Sequence, residues 1–288
     1  MKQMEYAAPA SVKEAVGLMA NGGSSARVLA GGTDLLVQLR AGNLKPGLIV
    51  DVKSIDEMCS IVVNKKNFRI GAAVCGAALN EHKRLKKALP GVAEAAGLIG
   101  STQVQGRATL GGNLCNASPA ADSVPAMIVA SAIATIAGPS GRRKVPVEKI
   151  NKGPGKNSLK KGEVLIYFTV PKPAPRSGDA YLRMTPRTEM DIAMVGVGVS
   201  LTLDKDGTCT AARVALGAVA PTALLVPDAA KALIGTKVDD AALEELSATV
   251  SAACKPIDDM RGTIEYRIQV AGVLARRASL VALERARR

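Results

Sequence analysis

Two short segments carry the residue types that can hold a charged cofactor. In Leu29-Ala30-Gly31-Gly32-Thr33-Asp34-Leu35-Leu36, a glycine pair joins an apolar run to a helical pattern. Small residues there let a diphosphate approach the backbone, where free N–H groups converge on its oxygens. Thr33 adds a hydroxyl, while Asp34 repels phosphate and suits a helix cap. The second segment runs Thr109-Leu110-Gly111-Gly112-Asn113-Leu114-Cys115-Asn116-Ala117-Ser118-Pro119-Ala120-Ala121-Asp122, with Arg107 close by. Asn113 can donate to phosphate oxygens and accept backbone N–H bonds. Asp122 can accept from ribose hydroxyls, as acidic residues do in dinucleotide folds. Taken singly, the first segment also reads as a strand-to-helix turn and the second as a polar loop. Taken together they describe two clamps on one extended dinucleotide.

Other chemistry is poorly represented. Neither segment is G-x-G-x-x-G or G-x-x-x-x-G-K-[ST]. His82, the single histidine, stands beside Lys83 in a basic stretch and reads as solvated, so no catalytic acid–base cluster is expected. Cys59, Cys75, Cys115, Cys209 and Cys254 are scattered and never form C-x-x-C. That spacing provides no disulfide framework and no metal or iron–sulfur ligand run, and it suits a reducing, cytoplasmic location. Cys115 could approach a cofactor through its position, but it has no sequence-near base. The net charge is +13, from 38 Lys+Arg against 25 Asp+Glu. This suits an anionic ligand, but no nucleic-acid motif accompanies it, and 2 Phe, 4 Tyr and no Trp offer few stacking platforms.

The elements that must position these residues are those of an α+β fold. With 288 residues and 48% hydrophobic content, the chain can bury a large core. Residues 11–20 read as a helix capped by Ser11, with Glu14 at the reciprocal position and Ala15, Val16 and Met19 on its apolar face. The first glycine segment ends the strand RVLAGG and restarts a helix capped by Thr33 or Asp34 and stopped at Gly42. LIVDV, FRIGAAV and LIYFTV read as strands, and a helix containing His82 precedes the helix PGVAEAAGLI. The most apolar stretch, the 13 residues Ala126–Gly138, is too short to span a bilayer and reads as one buried element. The segment MKQMEYAAPA lacks the apolar stretch of a signal peptide. GRRKVPVEKINKGPGKNSLKKGE reads as a basic surface loop. Three prolines in PKPAPRSG mark a connector. Beyond it, MVGVGVSLTLD and AARVALGAV form a hairpin about DKDG, followed by helices at AALEELSATVSAAC and IEYRIQVAGVLARRASLVALERA.

AGGTDL together with TLGGNLCNASPAADSVP resembles the FAD-binding medium subunit of molybdenum hydroxylases, the relatives of carbon monoxide dehydrogenase and xanthine dehydrogenase. GRRKVPVE, GPGK, GEVLIYFTVP, YLRMTPRTEMDIAMVGVGV and RGTIEYR extend the resemblance over essentially the whole chain. It implies a two-part FAD-binding domain of the PCMH type over residues 1–172, with parts of about 1–54 and 55–172. A linker at 173–178 then leads to a C-terminal α+β domain at 179–288 that completes the flavin site. By resemblance, Ala30 to Asp34, and Thr109 with Gly111, Gly112 and Asn113, hold the pyrophosphate, and Leu29, Leu35 and Leu36 are also cofactor-binding; Asp122 binds the adenosine ribose; Ile99 and Leu165 flank the adenine. Arg183 falls where many members carry a lysine near the flavin; arginine keeps the charge and adds a rigid fork. Where the family often has a Phe pair after VPVE, this chain has Lys149-Ile150-Asn151.

The four-cysteine insertion of one branch of the family is missing, so FAD is expected as the one redox cofactor on this chain. The molybdopterin-type cofactor and two [2Fe-2S] clusters are expected on a large molybdenum-binding subunit and a small iron–sulfur subunit, in a dimer of heterotrimers. Electrons would pass through the clusters to the flavin and leave to an external acceptor, with no transmembrane segment involved. A stand-alone FAD-dependent oxidase or dehydrogenase of the same fold superfamily is the alternative, and a non-enzymatic scaffold or basic nucleic-acid binder is a third reading. If Arg183 faces the flavin, Arg183→Met is expected to lower the flavin midpoint potential. An unchanged potential in the fully loaded variant rejects that role.

Overall fold

Short apolar runs build three main sheets in the computed structural model, which describes residues 4–288. Met1–Gln3, the start of the segment read against a signal peptide, lie outside the described residues. The first sheet is a β–α–β–α–β unit of strands Glu5–Ala7, Ala26–Leu29 and Leu48–Asp51, with helices Val12–Gly22 and Leu35–Arg40 between them. Leu48–Asp51 is central and pairs in parallel with both neighbours. Ser11 Oγ accepts from Glu14 N–H at 3.2 Å, and the Glu14 carboxylate accepts from Ala10 N–H at 3.1 Å, so the entry to the first helix is capped from both directions.

The second sheet is antiparallel, in the order Ile61–Val63, Asn67–Gly71, Val164–Pro171, Ile133–Gly138, Gly141–Pro146. Its central strand is almost wholly buried, which suits the apolar run LIYFTV. The third sheet contains Ser177–Met184, Val195–Leu203, Cys209–Gly217 and the short Leu224–Leu225. Helices Asp240–Ala253 and Ile264–Arg287 cover one face of it. The long helix lies so close to the first strand that a Cβ on Gly178 would stand 2.1 Å from Ala282 O.

Three readings of the sequence are corrected. Ala126–Gly138 is not one element: helix Ser123–Val129 ends, Ser131 turns the chain at φ 55°, and strand Ile133–Gly138 begins. A continuous apolar run cannot distinguish a buried helix from a buried strand. The basic stretch is not simply loop, because Gly141–Pro146 is an edge strand and Asn151–Gly153 pairs with Lys156–Asn157. Both of its arginines are paired: Arg142 forks onto Glu57 at 2.7 and 2.8 Å, and Arg143 onto Glu163 at 2.8 and 2.7 Å. Charged side chains on an edge strand also block pairing with other chains. Finally, His82 is not inside a helix. It separates Gly76–Glu81 from Lys83–Ala88 and caps the second through Nδ1, which accepts from Leu85 N–H at 3.1 Å.

The third sheet is held to the rest of the chain at the two buried helices Ser123–Val129 and Pro90–Gly97. Arg213 donates from Nε and Nη2 to Ile128 O at 3.1 and 3.0 Å, and Ser200 Oγ donates to Val129 O at 2.9 Å. These bonds satisfy carbonyls at the end of a helix that has no solvent to meet them. At the other helix, the buried Asp179 carboxylate accepts from Gly91 N–H at 3.0 Å. Arg285 pairs with Glu94 and donates to Asp179 O at 2.7 Å.

Burial pushes Asp179 up to about 7, and Glu94 adds to the rise; the Gly91 N–H and Arg285 oppose it. The folded state therefore holds a proton that the unfolded chain has released above its ordinary value of 3.8. This contribution to stability is greatest at low pH and is lost as pH rises through about 7. Asp179→Asn should gain stability relative to the parent between about pH 4 and pH 7, by on the order of a few kcal/mol, and then level off. Chemical denaturation across that range checks it; a pH-independent difference contradicts it.

Candidate functional site

The first glycine segment leaves the carboxyl end of strand Ala26–Leu29 and enters helix Leu35–Arg40. This is the end of a parallel sheet at which ligands are commonly held. Gly32 has φ +77°, a conformation that favours glycine. The Gly31 position is closed on one side: a Cβ there would lie 1.9 Å from Arg107 O and 3.1 Å from Ala108 N. Gly31 therefore lies directly on the backbone that leads into Thr109. Gln38 Nε2 donates to Asn116 Oδ1 at 3.2 Å, adding a second link between the two segments. Among the described residues, the backbone N–H groups from Gly31 to Leu35 donate to no protein acceptor. Asp34 occupies the cap position, but neither its side chain nor that of Thr33 makes the expected cap bond.

The second segment is not a loop. Leu110–Asn116 is a helix capped by Thr109, whose Oγ1 accepts from Gly112 N–H at 2.9 Å. Gly111 is pressed against another backbone: a Cβ there would be 2.4 Å from Ala72 O, and its own N–H donates to that oxygen at 3.1 Å. Paired glycines disguise the helix, because glycine has a low helix propensity. Here Gly111 lets its first turn sit against the Ala72 backbone. Asn113 Oδ1 accepts from Ser123 N–H at 3.3 Å and from Ser123 Oγ at 2.6 Å. Its Nδ2 has no protein acceptor among the described residues, so the amide is oriented with its donor uncommitted.

Asp122 and Arg183, which the resemblance assigns to the ribose and to the flavin vicinity, meet each other. Arg183 Nη1 donates to Asp122 Oδ2 at 2.7 Å, and Tyr181 Oη donates to Asp122 Oδ1 at 2.8 Å. Burial raises Asp122, with Arg183 and Tyr181 opposing that rise. Leu165 is 4% exposed within the core, one residue from Ile166, whose carbonyl accepts from Ala72 N–H at 2.9 Å. Ile99 lies half-buried in the turn between helices Pro90–Gly97 and Thr102–Gln105. Leu29, Ala30 and Leu35 are partly covered, whereas Leu36 is exposed. Burial pushes Cys115 up to about 12, so its thiol is protonated and unreactive near neutral pH.

Two residues of this region escape sequence reasoning. Lys53 Nζ donates to Ala30 O at 3.1 Å and to both oxygens of Asp51 at 2.7 Å, and Tyr6 Oη donates to Asp51 at 2.8 Å. Lys53 thus steadies the first glycine segment. Its signal would have been its place just past the central parallel strand. Tyr181 stands two residues before Arg183 and so shares its face of the strand, which alternation along YLR could have revealed.

The residues present fit an extended, doubly charged cofactor such as FAD. Uncommitted backbone donors from one segment lie beside the first turn of a second helix, with the donor side of Asn113 and the guanidinium of Arg183 connected through Asp122–Ser123. Among the described residues, no group of three or more His, Cys, Asp or Glu side chains could hold a metal ion.

Comparison with known proteins matches residues 2–173 to the FAD binding domain in molybdopterin dehydrogenase and residues 180–282 to the CO dehydrogenase flavoprotein C-terminal domain. The chain is 34% identical over 277 residues to the carbon monoxide dehydrogenase medium chain of Hydrogenophaga pseudoflava, covering 96% of each. It is 32% identical over 267 residues to a xanthine dehydrogenase FAD-binding subunit of Escherichia coli, covering 92% of this chain and 91% of that one. The solved carbon monoxide dehydrogenase from Hydrogenophaga pseudoflava superimposes with a TM-score of 0.94 at 34% identity, covering 98% of both chains. Quinoline 2-oxidoreductase from Pseudomonas putida superimposes with a TM-score of 0.91 at 28% identity, covering 99% of this chain and 98% of that one.

Because the Gly31 contact is with backbone, an added methyl has no flexible neighbour to displace. Gly31→Ala is expected to cost about 1–3 kcal/mol of stability or to force the two segments apart. FAD affinity should fall by at least about tenfold in either case. Gly17→Ala, where nothing lies within 4 Å, is the control. Thermal melts and FAD titration check this, and parental behaviour of the Gly31 variant contradicts the proposed cradle.

Proposed function

The chain belongs to the medium, FAD-binding subunits of the molybdopterin-dependent carbon monoxide dehydrogenase–xanthine oxidase family, and on that premise we propose that it passes electrons from partner iron–sulfur clusters through FAD to an external acceptor. The observation that carries this reading is the contact of Gly31 with the Arg107–Ala108 backbone, which makes one cradle of two glycine segments far apart in sequence. In it, the N–H groups of residues 31–35 and the amide of Asn113 hold the diphosphate. Thr109 fixes the first turn that presents Gly112 and Asn113. Arg183 adds a cation held by Asp122. When bound, FAD supplies the redox chemistry; the chain supplies position, electrostatics and shelter from water.

In this reading the molybdopterin-type cofactor and two [2Fe-2S] clusters reside on a large molybdenum-binding subunit and a small iron–sulfur subunit. The complete enzyme is a dimer of heterotrimers in the cytoplasm. The medium-chain and FAD-subunit names of the relatives support a multi-subunit assembly. Among the described residues, no helix is long and apolar enough to cross a membrane.

Co-expression with both partners, followed by native mass measurement and absorption spectroscopy, tests the proposal. Flavin bands with one FAD per medium chain, in an assembly of three chain types, are expected. A purified full chain that binds no flavin, or that oxidises an organic substrate alone, overturns it.

A further inference from the structure

Three buried side chains join the third sheet to the N-terminal end of helix Ser123–Val129. Tyr181 and Arg183 lie two apart on one strand and so point to the same face. Both reach Asp122, Tyr181 through Oδ1 at 2.8 Å and Arg183 through Oδ2 at 2.7 Å. Space for the phenol hydroxyl comes from the next strand, where a Cβ on Gly196 would stand 2.5 Å from Tyr181 Oη. Tyr181 is pushed well above its ordinary value by burial and by the Asp122 charge, so its hydroxyl stays protonated and donates.

The division of the carboxylate has a consequence for Arg183. Free to do so, an arginine and a carboxylate form two parallel bonds, the strongest geometry available to them. Here Tyr181 occupies one oxygen, and Arg183 reaches the other with Nη1 alone. Its Nε and Nη2 have no protein acceptor among the described residues, and neither is sealed from contact. The Arg183 side chain is only 6% exposed. A guanidinium this buried with two uncommitted nitrogens points to an anionic or oxygen-rich ligand. The adjacent Ser123–Asn113 bond ties the same corner to the second glycine segment.

We propose that Tyr181 is a positioning residue for the FAD site: by holding Asp122 Oδ1, it prevents the two-bond ion pair and keeps two Arg183 nitrogens directed to the cofactor. This rests on the reading of the chain as an FAD subunit. Removal of the hydroxyl frees Oδ1, the guanidinium rotates to grip both oxygens, and the cofactor loses a charge-assisted hydrogen bond. Tyr181→Phe preserves the ring and most of the packing, so the consequence falls on the ligand more than on the fold.

The test titrates FAD and ADP into the full parental chain and the Tyr181→Phe, Asp122→Asn and doubly substituted chains, alongside thermal melts of the ligand-free proteins. Tyr181→Phe should weaken FAD about tenfold and shift the flavin absorption bands or midpoint potential, while the ligand-free melt stays near the parental one. In the Asp122→Asn background, a carboxamide cannot form the two-bond ion pair, and the same phenylalanine should change FAD affinity less than about twofold. Weakened FAD with unchanged ADP assigns the lost bond to the flavin half; weakening of both assigns it to the shared diphosphate half. Parental FAD affinity and flavin spectrum in Tyr181→Phe, or equal losses in both backgrounds, overturn the role of Tyr181. A parental chain that binds no FAD refutes the underlying function instead.

Discussion

A seven-residue helix, Ser123–Val129, is buried along its whole length between the third sheet and helices Pro90–Gly97 and Leu110–Asn116, and the rest of the architecture answers to that burial. A helix so short exposes a large share of its backbone polar groups at its ends, and here no solvent is available to meet them. Its C-terminal carbonyls receive Arg213 and Ser200 from the third sheet. At its N-terminal end, Asp122 receives Tyr181 and Arg183, and Ser123 donates to Asn113. Glycine makes the approach possible: a Cβ at Gly198 would stand 2.9 Å from Pro125 O, and one at Gly217 would stand 2.9 Å from Pro125 Cγ.

The site follows from that docking. Holding the third sheet against this helix brings Arg183 to the corner where Asn113 stands. A separate close contact, Gly31 upon Arg107–Ala108, brings in the first segment. Segments near residues 31, 113 and 183 are therefore linked through these contacts, although no two of them are neighbours in the chain. Rigidity matters here, since a cradle of backbone N–H groups is effective only if binding does not have to organise it. A nearly aromatic-free composition is compatible with this construction. Alanine, glycine and valine allow strands and helices to approach at backbone distance, and small side chains lose little conformational entropy when buried.

Much of this was legible in residue patterns. The capped helix after Ser11, the hairpin about DKDG and the long terminal helix each follow from strong local signals: a cap, alternation flanking a turn, and helical spacing. Local signals failed where they were weak or ambiguous. The helix beginning at Leu110 carries two glycines in its first turn and so reads as loop. The strand Gly141–Pro146 carries three consecutive cations, Arg142 to Lys144, rather than alternating apolar residues, because it is an edge whose two arginines meet Glu57 and Glu163 from elsewhere in the chain. The apolar run from Ala126 has the composition of either structure, and its division at Ser131 depends on what packs around it.

The sequence by itself determined the paired glycines, the α+β order of elements and the family to which the chain belongs, because these reside in residue types and their spacing. Only the tertiary structure decided that Gly31 rests on Arg107, that Asp122 is shared between Tyr181 and Arg183, and that Asp179 is buried beside Gly91. Those relations join residues up to 88 positions apart. The chain pattern states what each residue can donate or accept; which partner it meets depends on the packing of whole sheets and helices, and the energetic cost of leaving a buried polar group unpaired selects the arrangement.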